Sequence, residues 1–137
     1  MKIVIIDGQG GKMGKSVIEQ LKKRFPELET YAIGTNSIAT SAMLKAGATD
    51  GATGENPVIV NAQDADIIIG PIGIVMANSL LGEITPAMAA SIGSSKAYKI
   101  LIPVNRCNHY IVGCQNNTLS DYINMVCDEV GKEVKSI

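Results

Sequence analysis

An aliphatic run, a glycine turn and a helical pattern follow one another at the start of the chain, and no other feature limits its fold as strongly. Ile3-Val4-Ile5-Ile6 lead into Asp7, then Gly8-Gln9-Gly10-Gly11-Lys12-Met13-Gly14, then a segment with Met13, Val17, Ile18 and Leu21 on one helical face. Consecutive apolar residues over so short a stretch describe a strand buried on both faces, as in a parallel sheet. A glycine turn that then opens a helix leaves unpaired N–H groups and a partial positive charge at the crossing. Strand, glycine turn and helix in that order are the context in which a loop binds phosphate.

The same alternation continues along all 137 residues. The aliphatic spacing predicts a first strand over 2–7, a helix from Lys12 to Arg24 ended by Phe25-Pro26, and a second strand over Thr30–Gly34. Ser37 is placed to cap a second helix through about Lys45-Ala46, with Gly47 as its C-terminal cap. A long small-sided connection over 49–57 is then expected, followed by a third strand at Val58-Ile59-Val60 and a fourth at Ile67-Ile68-Ile69. Gly70-Pro71-Ile72-Gly73 forms a second strand-to-helix crossing. Helical segments are expected over Ile74–Leu81 and from Pro86 to about Ile92. Ile100–Val104 reads as a fifth strand, at an edge or ending early because of Pro103, and His109–Val112 as a short sixth strand hairpin-paired with it. From Leu119 the positions of Tyr122, Ile123, Val126, Cys127, Val130 and Val134 describe a closing amphipathic helix. The expectation is one α/β domain over 1–137, a doubly wound, mostly parallel sheet of order 3-2-1-4-5 in a three-layer sandwich. Its crevice lies above the C-terminal ends of strands one and four.

Charge and cysteine content narrow the partners. A formal net charge of -1 supplies no field for nucleic acid or an anionic membrane, and no run of 18 apolar residues exists to span one. Cys107, Cys114 and Cys127 are odd in number and loosely spaced, which suits a reducing, cytoplasmic setting rather than a disulfide framework. They and His109 lack the paired spacing of a zinc site, so no metal is expected.

A small phosphorylated ligand is the partner that the glycine loop implies. Asp7, Gly8, Gln9, Gly10, Gly11, Lys12, Met13 and Gly14 are the candidate phosphate-side residues. Thr35 and Asn36, at the end of strand two, are candidates for neutral hydrogen bonds to an adenosine ribose. The acid that a dinucleotide fingerprint places there is missing, and no adjacent arginine favours a 2′-phosphate, so NAD and NADP are not distinguished. Gly70, Pro71 and Gly73 are candidates for close approach to the ligand's far end. Arg106, Cys107 and His109 are the candidate catalytic groups: an anion-binding guanidinium, a thiol nucleophile and a proton-transfer imidazole. Each also has a structural explanation, as a surface ion pair, a buried thiol or a hairpin residue. Asp7 is as readily a brace for the loop as a ligand group. Gly14-Lys15-Ser16 approaches a P-loop ending, but Gln9 stands where that motif needs glycine.

The segment Ile5 to Lys15 resembles the cofactor loop of dihydrodipicolinate reductases, in which the loop holds the pyrophosphate of NADH or NADPH; the resemblance carries to Gly8, Gly11 and Gly14, with Lys12 at a usually basic position. The reductases' second domain and histidine-rich catalytic stretch are not present here. Over nearly its full length the chain resembles a small bacterial family, domain of unknown function 3842. The strings that carry this are Asp7–Gly11, Gly34–Ala48, Gly51–Asn56, Gly70–Gly73, Leu81–Pro86 and Pro103–Cys107. That resemblance implies a Rossmann-like fold.

Three functional expectations follow. The first is binding of NAD or NADP, as a small oxidoreductase completed by a homodimer; no Tyr-x-x-x-Lys pair is available, since neither Tyr98 nor Tyr122 has a lysine four residues on. The second is a non-catalytic sensor of a nucleotide or phosphorylated metabolite. The third is triphosphate hydrolysis or phosphotransfer through Lys15 and Ser16.

Overall fold

A computed structural model describes residues 1–104, 109–114 and 117–135. Five parallel strands, β1 (Ile3–Asp7), β2 (Thr30–Gly34), β3 (Asp50–Thr53), β4 (Ile67–Pro71) and β5 (Tyr98–Ile102), form one sheet in the order β3-β2-β1-β4-β5. Among the described residues five helices cover it: α1 (Lys12–Arg24), α2 (Ser37–Lys45), α3 (Glu55–Asp64), α4 (Pro86–Ser94) and α5 (Leu119–Lys135). This is the Rossmann-like three-layer sandwich expected.

Alternation along β1 divides the core. Ile3 and Ile5 pack with Val17, Ile18 and Leu21 of α1, Met43 of α2, and Ile123, Val126 and Val130 of α5. Val4 and Ile6 face the opposite layer, with Val58 and Ala62 of α3 and Met88 and Ile92 of α4. These four aliphatic side chains of β1 are fully buried, as expected for a central strand covered on both faces. The order reverses between β1 and β4, so their C-terminal ends open a crevice at the switch point.

Several elements differ from expectation. The third strand is β3, at Asp50–Thr53, not Val58–Val60, which lies within α3. Pro57 falls in the first turn of α3, where its missing N–H costs little. Val58 and Ala62, four residues apart, supply the buried stripe of that helix, whereas Val60 is half exposed. The 49–57 connection is therefore mostly strand and helix start. Because β3 is parallel, Thr53 and Gly54 end on the same edge as the crevice. Ile74–Leu81 is not a helix: a 3-10 turn spans Ile72–Val75, and tight turns follow, with Asn78, Leu80 and Leu81 in left-handed backbone at φ of 65°, 54° and 55°. Helix α2 is capped by Asn36, whose side chain accepts the Ala39 N–H, rather than by Ser37. Gly47 closes α2 as expected: at φ 116° it brings its own N–H to Leu44 and that of Ala48 to Met43. β5 is an edge strand and ends before Pro103. His109–Val112 forms no sixth strand; with β5 already ended at Ile102 and Pro103 lacking an N–H, no ladder extends to it.

Candidate functional site

Above the ends of β1, β4 and β5 lies a cavity of about 720 Å³. Asp7, Gly8, Gln9, Gly10, Gly11, Lys12 and Met13 form one wall, and Pro71 and Gly73 another. Ser79, Leu80 and Leu81 from the turns after β4, Ile102 to Val104, His109, Asn117, and Leu119 and Tyr122 at the start of α5 complete it. The lining is mainly apolar, as ligand cavities of roughly 300–1,000 Å³ usually are.

The donors of the glycine loop divide into an inner and an outer set. Asp7, buried at the tip of β1, accepts the Gly8 N–H on Oδ1 at 2.8 Å and the Gly14 N–H on Oδ2 at 2.7 Å. Burial pushes its carboxyl above the ordinary range; the N–H groups of Gly14, Gly8 and Met13 pull it down, the nearby charge of Glu83 pushes it up, and the balance is upward. Asp7 is thus the loop's brace. The Gly11 N–H closes a turn onto the Gly8 carbonyl at 2.9 Å, and the Gln9 N–H donates to Glu83 at 2.9 Å. Among the described residues, the N–H groups of Gly10 and Lys12 have no acceptor. They stand at the start of α1, whose N-cap, Gly11, has no side chain to offer, and whose first turn contains Lys12 but no acid. The starts of α2, α4 and α5 are closed by Asn36, Thr85 and Thr118 side chains, and α3 has Glu55 in its first turn.

Several glycines at these crossings are required by packing. Gly11 sits at φ 72°, and a Cβ there would stand 2.7 Å from the Ala39 Cα, so glycine is what lets α1 start against α2. Gly14 and Gly70 are also packing positions: a Cβ would strike Met43 and Asp7 at the first, and the Ile6 carbonyl at the second. Neither lines the cavity, and Gly70 lies within β4 rather than beyond it. A Cβ on Gly10, by contrast, meets nothing within 4 Å.

Thr35 and Asn36 lie outside the cavity, on the other flank of the loop. There they meet Glu83, which the sequence reading did not single out. Its Oε1 accepts from the Thr35 hydroxyl, from Asn36 Nδ2 at 2.8 Å and from the Gln9 N–H; Asn36 Nδ2 also donates to the Gln9 carbonyl at 2.9 Å. Partial burial raises the Glu83 pKa, but the hydrogen bonds from Thr35, Gln9 and Asn36 outweigh it and hold the carboxyl below its ordinary value. Glu83 is 48 residues from Thr35 and 74 from Gln9, so no local pattern links them.

His109 lines the cavity, its ring Nε2 bonded to the Val104 carbonyl. Arg106 and Cys107 lie outside the described residues. Lys15 and Ser16 point away from the cavity: Lys15 lies 4.0 Å from Glu19 on the helix surface, and the Ser16 hydroxyl bonds back to the Lys12 carbonyl. Among the described residues no cluster of His, Cys, Asp or Glu is placed to hold a metal ion. None of the described helices is long and apolar enough to cross a membrane.

With the geometry established, comparison with known proteins places the chain. The sequence model of the family described as "Domain of unknown function (DUF3842)" matches residues 2–135, and the chain belongs to that family. No match was found among curated proteins or among solved structures.

Proposed function

We propose, from that membership and this geometry, that the chain binds a nucleotide or dinucleotide, most readily NAD or NADP, with phosphate at the Gly10 and Lys12 amides. The observation that carries the proposal is a pair of N–H groups without an acceptor among the described residues, at the uncapped start of α1, in residues that line a cavity at the switch point of the sheet. Anions are stabilised at such a position by the amides and the helix dipole. A lysine in the first turn is disfavoured by the same dipole until an anion offsets it. The residues fit a dinucleotide in outline: an apolar cavity on one flank of the loop and a polar cluster at the tip of β2 on the other, with the open amides between them. Gly10, Lys12 and the α1 start are the phosphate side, with Met13 beside them. Pro71, Gly73 and Leu80 are the cavity side. A nicotinamide, when bound, would supply hydride chemistry.

Binding without turnover is the second reading. The described cavity wall holds Asp7, Lys12, His109 and Tyr122 as its ionisable groups, and Asp7 has both oxygens occupied by loop amides. His109, the proton-transfer candidate, lines the cavity. Completion of the site by a homodimer stays part of the oxidoreductase reading. Triphosphate hydrolysis is disfavoured by the outward placement of Lys15 and Ser16.

Calorimetric titration with NADH, NADPH and ADP-ribose tests the proposal, with Gly10→Asp as the control. That substitution enters open space yet sets a carboxylate beside the two amides. It is expected to leave the thermal midpoint unchanged and to weaken binding about tenfold or more. Gly11→Asp would disturb the packing against Ala39 and confuse the result. Equal affinity in wild type and Gly10→Asp would sink the phosphate assignment, and absence of binding by all three compounds would sink the ligand class.

A further inference from the structure

The tip of β2 ends in Thr35 and Asn36, neutral groups where a ribose-reading acid would stand, and the structure brings a carboxylate to that place from elsewhere in the chain. We infer that Glu83 is the specificity residue of the adenosine side, accepting the ribose hydroxyls and excluding a 2′-phosphate; this rests on the nucleotide reading above. The juxtaposition that carries it is Glu83 Oε1 held by three donors from two other segments: the Gln9 N–H, the Thr35 hydroxyl and Asn36 Nδ2. Oε1 is saturated by them. Oε2 has no hydrogen bond among the described residues, and the side chain is only partly buried, so Oε2 is the acceptor open to a hydroxyl.

The position of Glu83 is built. Its neighbour Ile84 is fully buried in the α3–α4 layer with Ile6 and Ile33. The Ile84 carbonyl accepts the Asn78 N–H at 2.7 Å, its N–H donates to Ser79 at 3.2 Å, and the Glu83 N–H donates to Leu80 at 3.1 Å. Thr85 then caps α4 and donates its hydroxyl to Glu55 at 2.6 Å. Between the 3-10 turn and this anchor, Asn78, Leu80, Leu81 and Gly82 all take positive φ. Left-handed backbone at consecutive non-glycine residues persists only where the surroundings over-determine it. Here it turns the chain back across the end of β1, so that Glu83 reaches the glycine loop; a Cβ on Gly8 would stand 2.9 Å from Glu83 Oε1. A carboxylate in that place offers an acceptor to a 2′-hydroxyl and like-charge repulsion to a 2′-phosphate.

The experiment is a titration of the full chain with NADH and NADPH, and with ADP-ribose and its 2′-phosphorylated form, read by calorimetry. Wild type is expected to prefer each unphosphorylated compound by about tenfold or more, and Glu83→Gln to shrink that ratio to within about threefold. A purely structural Glu83 would shift the thermal midpoint without moving the ratio. Equal affinities in wild type, or a ratio that survives Glu83→Gln, overturn the assignment and leave the nucleotide reading standing. Binding of none of the four overturns both. If Glu83→Gln does not fold, Glu83→Asp decides: drawing the charge back by one methylene is expected to weaken NADH about threefold or more without weakening NADPH, and unchanged affinities for both overturn the assignment.

Discussion

The two flanks of the glycine loop are finished in opposite ways. Towards β2, Gln9, Thr35, Asn36 and Glu83 are tied to one another by hydrogen bonds. Towards β4 and β5, apolar side chains stand back from one another and leave a cavity. The loop itself repeats the contrast: Asp7 fills its inner donors, while the Gly10 and Lys12 amides find no acceptor among the described residues. A glycine-rich crossing is therefore not a single functional unit. Most of its glycines serve close packing, and the outer donors are what a ligand can use.

Substitutions separate those roles, and the largest effect is expected at the packing glycine. Gly11→Ala adds a Cβ against the backbone of α2 in a left-handed conformation; strain of roughly 1–2 kcal/mol and overpacking of roughly 1–3 kcal/mol act together. Urea unfolding that shows a loss below about 1 kcal/mol would refute the packing role. On the β2 flank, Glu83→Ala strands the donors of Thr35 and Asn36, and a loss of about 1–3 kcal/mol is expected by the same measurement. On the open side, Gly10→Asp is expected to change stability by no more than about 0.5 kcal/mol. A larger change would mean that the outer amides are structural after all.

Acid titration sharpens the comparison between the two carboxylates, because their shifts have opposite signs. Asp7 is raised above its ordinary 3.8, so its contribution is full below that value and is lost as pH rises through its folded value. Glu83 is lowered below 4.5, so its contribution is present above that value and is lost as pH falls through its folded value. Unfolding followed from pH 7 down to pH 3 is therefore expected to show wild type gaining on Asp7→Asn and losing its advantage over Glu83→Gln. Parallel curves for wild type and both variants would contradict these signs.

Much of the frame was legible without coordinates. β1, α1, β2 and α2 fall where apolar spacing puts them, as does α5, because each carries a pattern read within its own residues. β3 escaped because Asp50-Gly51-Ala52-Thr53 is a short edge strand with small, partly exposed side chains and no aliphatic run. Val58–Val60 misled because three apolar residues suit a strand or one turn of a helix, and length decides between them only when the ends are known. The turns after β4 were hidden too, since left-handed leucines leave no sign in composition.

What the amino-acid order settled alone was the alternation of strand and helix, and with it a sheet whose reversal point lies beside the glycine loop. Which donors of that loop are spent and which remain, and that an acid from beyond β4 stands at the tip of β2, were decided only by tertiary contact. Periodicity is a property of neighbours along the chain. A carboxylate and the amide it meets 74 residues away share nothing until packing brings them together.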